Sequence, residues 1–243
     1  MPTIRLVILH AAFAPERAPN VLTLRRQLGG RVEVWEEHDR RGVWPAYRDI
    51  VRSTGRDDWL AVIQDDIKAV PHLGLDLPAL LDQAGERPVG LLVGTRVVRQ
   101  ARDRGGSFLA SPDAWLGGAT VWPTALAHDM VRWCDREVSA AFPHEDRRMQ
   151  LYCLSEGVTG WFTSPCLVDY EPYRSLLGHH NRPPGWYDGR PASAWDWSLG
   201  APVRWSRGVE GRTAREWAAV TARAARRQTP SDAPHGATGT ARR

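Results

Sequence analysis

The chain has 243 residues, 42% hydrophobic and 25% charged, the balance of one sizeable folded domain or a domain with a small appendage, and not of a disordered polymer. No run approaches the roughly 20 apolar residues of a membrane span, and Met1 to His10 lack the charged start, long apolar core and cleavage site of a signal peptide, so a cytoplasmic protein is expected. Three cysteines (Cys134, Cys153, Cys166) with no Cys-x-x-Cys spacing argue against a disulfide framework or zinc knuckle and read as small buried apolar residues, while the net charge of +4 gives only a slight bias toward acidic partners such as sugar nucleotides or nucleic acid.

Residues 4–9 form an apolar run of strand length, ending in His10-Ala11-Ala12. Asn20 can cap a short helix with Val21, Leu24 and Leu28 on one side, stopped by Gly29-Gly30. Residues 31–35 alternate polar and apolar and read as a second strand. After a polar loop over 36–42, Tyr47, Ile50, Val51 and Thr54 have the spacing of an amphipathic helix. Trp59 to Ile63 is a third strand, with Gln64-Asp65-Asp66 at its carboxyl end.

Further on, 77–83 reads as helix, 89–94 as a buried strand, 99–114 as a polar loop and 116–122 as a short strand containing Gly117-Gly118. Pro123 opens a helix whose Leu126, Met130, Trp133 and Cys134 share a face. A further helix over 145–155 is closed by Gly157, and 161–162 and 166–168 have strand character. Strands alternating with helices predict an α/β fold with a mainly parallel sheet covered on both faces. From 178 to 211 Pro, Gly, Trp and Arg dominate without periodicity, which suggests an extended segment over the domain. Ala214, Trp217, Ala218 and Thr221 suggest a last helix, and 228–243 is low enough in apolar content to be expected disordered. The resulting division is a main domain over 1–182, an irregular extension with a terminal helix over 183–227, and a tail over 228–243.

Three places could carry chemistry. Asp65 and Asp66 follow an apolar strand at the edge where α/β sheets bind ligands. Two carboxylates there repel one another, and a hard divalent cation such as Mg²⁺ or Mn²⁺, held by carboxylates and substrate phosphates, relieves that repulsion. The plainer alternative is that one of them caps the following turn. Second, His144-Glu145-Asp146 precedes a helix, where a carboxylate could act as general base or simply serve as an acidic first turn. Third, His179-His180 could offer one metal ligand or be two solvated side chains. Gly117-Gly118 after Trp115 could let backbone approach a sugar closely, or mark a bend. Trp133 and Trp217 read as core residues, whereas Trp186, Trp195, Trp197 and Trp205 lie in the irregular segment. No Gly-x-Gly-x-x-Gly after the first strand, Walker A loop, Gly-x-Ser-x-Gly or His-Glu-x-x-His is present, so dehydrogenase, P-loop kinase, serine hydrolase and zincin readings lack their motifs.

Taken in order, the early strand ending His10-Ala11, His38-Asp39 with Gly42 and Trp44, Ile63-Gln64-Asp65-Asp66, Leu116-Gly117-Gly118-Ala119, His144-Glu145-Asp146, Pro165 to Asp169, and Ser175 to His179 resemble the GT-A glycosyltransferase superfamily. The likeness is nearest to small actinobacterial and phage-associated members and more distant to family-2 and lipooligosaccharide-type enzymes, and it spans about residues 4–182. The resemblance implies a Rossmann-like nucleotide-diphospho-sugar transferase fold and a UDP- or GDP-sugar donor. It implies that His10, Ala11 and Asp39 hold the nucleotide and that Asp65 contacts ribose or a metal-bound water. Asp66 and His179 would bind Mn²⁺ or Mg²⁺. Asp146 would be the base, and Trp115, Gly117, Gly118 and Glu145 would face the acceptor. Gln64 departs from the pattern, standing where the family often has an acid.

Three other readings stay open on sequence: a phage-type enzyme whose acceptor is a modified DNA base, another metal-dependent nucleotide transferase, and a non-catalytic nucleotide-binding protein. The second usually carries a Gly-rich, Lys-containing loop after the first strand, and Ala11 to Pro15 offers none.

Overall fold

The computed structural model describes residues 2–29, 31–71, 73–93, 108–164, 166–171, 173 and 176, together with the backbone of a strand at 209–210. Ten strands and five helices of more than one turn are defined among these residues. In chain order they are β1 (Ile4–Ala11), α1 (Ala18–Leu28), β2 (Glu33–Glu37), α2 (Val43–Ser53), β3 (Trp59–Gln64), β4 (Ile67–Ala69), α3 (Leu73–Ala84) and β5 (Val89–Gly90). They continue as β6 (Phe108–Ser111), β7 (Ala119–Pro123), α4 (Thr124–Glu137), α5 (Glu145–Glu156), β8 (Gly160–Thr163), β9 (Val168–Tyr170) and β10 (Val209–Glu210).

The central sheet has eight strands in the order β10-β6-β8-β5-β7-β3-β1-β2. Strands β1, β2, β3, β5 and β8 run one way, and β6, β7 and β10 run the other. Its character is therefore mixed, with the parallel direction in the majority. The apolar runs of β1 and β3 explain their central positions: a strand covered on both faces has no polar side to alternate. Every β3 residue before Gln64 is buried.

The helices pack in two groups, α1 with α3, and α2 with α4 and α5, so both faces of the sheet are covered. On α2 the buried side chains are Trp44, Ala46, Tyr47, Ile50 and Val51, the stripe expected from its spacing. Arg5 donates to the Ile50 carbonyl at 3.2 Å and to Thr54 Oγ1 at 2.8 Å, tying the end of α2 to β1. Helix α3 begins a turn earlier than expected, because Leu73 and Leu77 extend the buried stripe of Leu80, Leu81 and Ala84. All three cysteines are free and buried, as the sequence suggests.

Several local expectations need correction. Leu116 is irregular, Gly117 and Gly118 form a turn, and the strand begins only at Ala119. Part of the stretch read as loop is strand β6, buried throughout. Short β4 and β9 pair antiparallel as a second, two-stranded sheet, which the sequence reading did not anticipate. Of the irregular segment, Val209–Glu210 pairs with β6 at the sheet edge. The expected terminal helix, the tail, His179, and Trp186, Trp195, Trp197 and Trp205 lie outside the described residues. Among the described residues no helix is long and apolar enough to cross a membrane.

Candidate active site

The chain passes from β1 to the edge strand β2 and then returns to β3 on the other side of β1. Such a reversal leaves a crevice at the carboxyl ends of the two diverging strands, the usual ligand position in open α/β sheets. Ala11 ends β1 and Gln64-Asp65-Asp66 ends β3, so the acidic turn falls at this point for topological reasons. A cleft of about 280 Å³ opens there, close to the lower end of small-ligand sites. One wall comes from Ala11, Phe13, Glu37 and Arg40, and the floor from Gln64, Asp65 and Asp66. The opposite wall is Gly117 with the His144-Glu145-Asp146 turn, and Tyr170 at the end of β9 contributes with Glu171 and Tyr173.

The two adjacent aspartates have different surroundings. Asp65 is 2% exposed and its carboxylate is fully engaged. Oδ2 accepts the Ala11 N–H at 2.8 Å and lies 2.8 Å from His10 Nδ1, while Oδ1 accepts from Arg17 Nη1 at 2.6 Å. Asn20 does not cap α1, which starts at Ala18; its amide instead donates to the Asp65 and Ile67 carbonyls at 2.8 and 2.7 Å, fixing the turn from below. Asp66 is held less completely. Its Oδ2 is 3.5 Å from Arg17 Nη2, and its buried Oδ1 has no hydrogen-bond partner. Burial pushes the Asp66 carboxyl up to about 6, with the Asp65 charge adding to the shift and Arg17 opposing it.

Across the cleft, Glu145 starts α5 and is 5% exposed. Its Oε1 accepts from Gln64 Nε2 at 2.7 Å. A Cβ on Gly117 would lie 2.1 Å from that same oxygen, so only glycine leaves space for it. Burial raises the Glu145 carboxyl to about 7, and the charges of Asp146 and Asp66 push in the same direction. Asp146 is half-buried, lines the cleft, and accepts the Arg147 N–H at 2.7 Å. The turn before α5 is fixed by Arg148, 1% exposed, which donates to the Ser139 carbonyl at 2.6 Å and the Phe142 carbonyl at 2.7 Å and lies over the Trp44 ring.

At the other end, Glu37 has its carboxylate closed by Arg41 Nη2 at 2.7 Å and by the Asp39 N–H at 3.0 Å. Burial pushes that carboxyl up, but the Arg41 guanidinium and these backbone donors leave it below its usual range. The Arg40 guanidinium lies 4.7 Å from the centre of the Phe13 ring, with Arg40 itself at φ 54°.

Of the residues expected to bind nucleotide, Ala11 and Asp65 line the cleft, His10 sits behind Asp65, and Asp39 is exposed and not among the lining residues. Asp66, Gly117, Glu145 and Asp146 are brought together in it. Gly118 lies behind the cleft at φ 109°, where a Cβ would meet Ile67 Cδ1 at 2.8 Å. Trp115 is not in the cleft: it is 3% exposed, stacked on Trp122 at 4.9 Å and against Phe162 at 4.8 Å, and is a core residue. Sequence reasoning missed Phe13, Arg17, Glu37 and Arg40, and read Gln64 only as a departure. The one available signal was Arg17 lying within a few residues of the first strand's end.

No protein-family model matches the chain, and a search of curated proteins finds no match. Among solved structures, the glycosyltransferase GlyE of Streptococcus pneumoniae TIGR4 aligns over 90% of this chain at 8% identity and a TM-score of 0.40. Its apo form aligns over 90% at 9% identity and a TM-score of 0.41. This chain spans 64% of the length of each, just under two thirds. Likenesses this slight carry no weight for fold or activity.

Proposed function

We propose that this protein is a glycosyltransferase of the GT-A type, moving a sugar from a UDP- or GDP-sugar to a hydroxyl acceptor with Mn²⁺ or Mg²⁺ as cofactor. The observation that carries the reading is Asp66, a half-buried carboxyl whose buried Oδ1 has no hydrogen-bond partner, at the strand crossover and on the floor of a cleft. A buried carboxylate oxygen without a hydrogen-bond partner is costly, and a cation in a ligand complex offsets that cost. Among the described residues, no group of three or more His, Cys, Asp or Glu could hold a metal unaided. A site of one or two carboxylates completed by substrate phosphates is the mode Mg²⁺ favours, and Asp66 Oδ1 fits it. His179 is the further ligand the sequence resemblance suggests. When bound, the cation would neutralise charge developing on the departing diphosphate.

The chain's own residues would do the rest. Asp65, locked by His10, Ala11 and Arg17, gives a fixed shape to the floor over which the ribose would lie. Phe13 and Arg40 form a flat apolar and cationic face at the end of the cleft where the nucleotide base would lie. Gly117 and the Glu145-Asp146 turn face the acceptor, and a carboxyl of that turn, Asp146 by sequence resemblance, would take the proton of the attacking hydroxyl.

Titration calorimetry with UDP and GDP, with and without Mn²⁺, tests the donor half. Binding is expected to need the metal and to be lost in Asp66→Ala. Failure of the wild type to bind either nucleotide in the presence of Mn²⁺ would overturn the reading.

A further inference from the structure

The turn at the start of α5 offers two carboxyls, and their surroundings differ. Glu145 is anchored from two sides: its Oε1 is held by Gln64 Nε2 at 2.7 Å, and the bare backbone of Gly117 closes on that oxygen. Gln64 ends β3 immediately before the acidic pair, so this hydrogen bond ties Glu145 to the strand on which the donor's phosphates would sit. Asp146 is half-buried and accepts from the N–H of the next residue in its own helix. A group that removes a proton must be held within hydrogen-bond reach of it by rigid elements, and geometry ranks ahead of acidity.

Building on the transferase reading above, we propose that Glu145 is the base of this cleft, with Gln64 as its positioning residue and Asp146 as a contact for the acceptor. Oε1 stays with Gln64, and Oε2 receives the proton. The acceptor O–H bond breaks and its proton passes to Oε2. The oxygen's electron pair forms the bond to the anomeric carbon, and the pair of the sugar–phosphate C–O bond leaves with the nucleoside diphosphate. Burial supports the role, because it holds the Glu145 carboxyl at about 7, where a base working near neutrality is most effective. The amide of Gln64 can donate to Glu145, whereas a carboxylate at that position would repel it.

The test needs no knowledge of the acceptor, since water can take its place. Donor hydrolysis is followed across a panel of UDP- and GDP-sugars with Mn²⁺, alongside calorimetric binding of the matching nucleotide, for wild type, Glu145→Gln, Asp146→Asn and Gln64→Ala. Glu145→Gln is expected to bind nucleotide as the wild type does and to lose hydrolysis by about 10²-fold or more. Asp146→Asn should lower hydrolysis clearly less than Glu145→Gln does, and Gln64→Ala should lower the turnover number at unchanged nucleotide affinity. The reverse ranking of Glu145→Gln and Asp146→Asn overturns the inference and leaves the transferase reading standing, as does a wild type that binds nucleotide but hydrolyses no donor. A wild type that binds no nucleotide removes both.

Discussion

The two sides of the cleft treat buried charge in opposite ways. On the β1–α1 side, Asp65 is met by a guanidinium, an imidazole and a backbone N–H, each at hydrogen-bond distance. On the β7–α5 side, Glu145 has one amide donor, and Asp66, between the two, keeps an oxygen with none. A protein built for stability alone would satisfy both sides or use apolar groups. The unsatisfied side is where a ligand has something to gain, and the satisfied side is the frame that keeps it in place.

The largest effect expected from this contrast comes from the satisfied side. Arg17→Ala leaves the Asp65 carboxylate, 2% exposed, without its guanidinium, and the loss should be about 3–5 kcal/mol, read as a lower urea midpoint. A loss below about 1 kcal/mol would show that Arg17 and Asp65 do not hold this side of the cleft.

The unsatisfied side should respond with the opposite sign. The Glu145 carboxyl is raised in the folded state from its ordinary 4.5 to about 7, so the folded chain holds that proton more tightly than the unfolded chain does. Native stability from this group is therefore greatest below pH 4.5 and falls as pH rises toward 7, after which the penalty is complete. Asp66 behaves alike, over a range ending near 6. Glu145→Gln keeps the acceptor for Gln64 while removing the charge. In metal-free buffer it should stabilise the fold at pH 8, by on the order of 3 kcal/mol at most, and scarcely at pH 4. Thermal melts at the two pH values measure the difference, and equal melting shifts at both would break the comparison.

The smallest effect tests how closely the unsatisfied side is fitted. Gly117→Ala places a methyl 2.1 Å from Glu145 Oε1, so Glu145 must move and its bond from Gln64 must lengthen or break. A stability change of about 1 kcal/mol is expected, with donor hydrolysis down about tenfold. An unchanged hydrolysis rate would mean that the position of Glu145 is not tuned.

Much of the architecture was legible in the sequence because it rests on local pattern. The apolar runs of β1 and β3 gave central strands, the spacing of Tyr47, Ile50 and Val51 gave α2, and Gly157 marked the end of α5 with its left-handed φ of 68°. The pair β4 and β9 was not legible, because three-residue strands carry no readable period and their partners are about a hundred positions apart. Trp115 shows the same limit in a side chain. The family resemblance had it facing the acceptor, yet the bare Gly160, where a Cβ would meet its ring at 2.5 Å, lets it sink into the core against Trp122 and Phe162.

By itself the sequence determined that an acidic turn would stand at the end of a buried strand, and that a second acidic turn would open a later helix. Hydrophobic periodicity and strand length are local properties, and they sufficed for that. Which acids are neutralised and which are left open was decided only by the fold. Arg17 reaches Asp65, and Gln64 reaches Glu145, because the crossover at β1 and β3 and the packing of α5 bring together residues 48 and 81 positions apart. Charge acts through space, and the distances that set its sign and size exist only once the chain is folded.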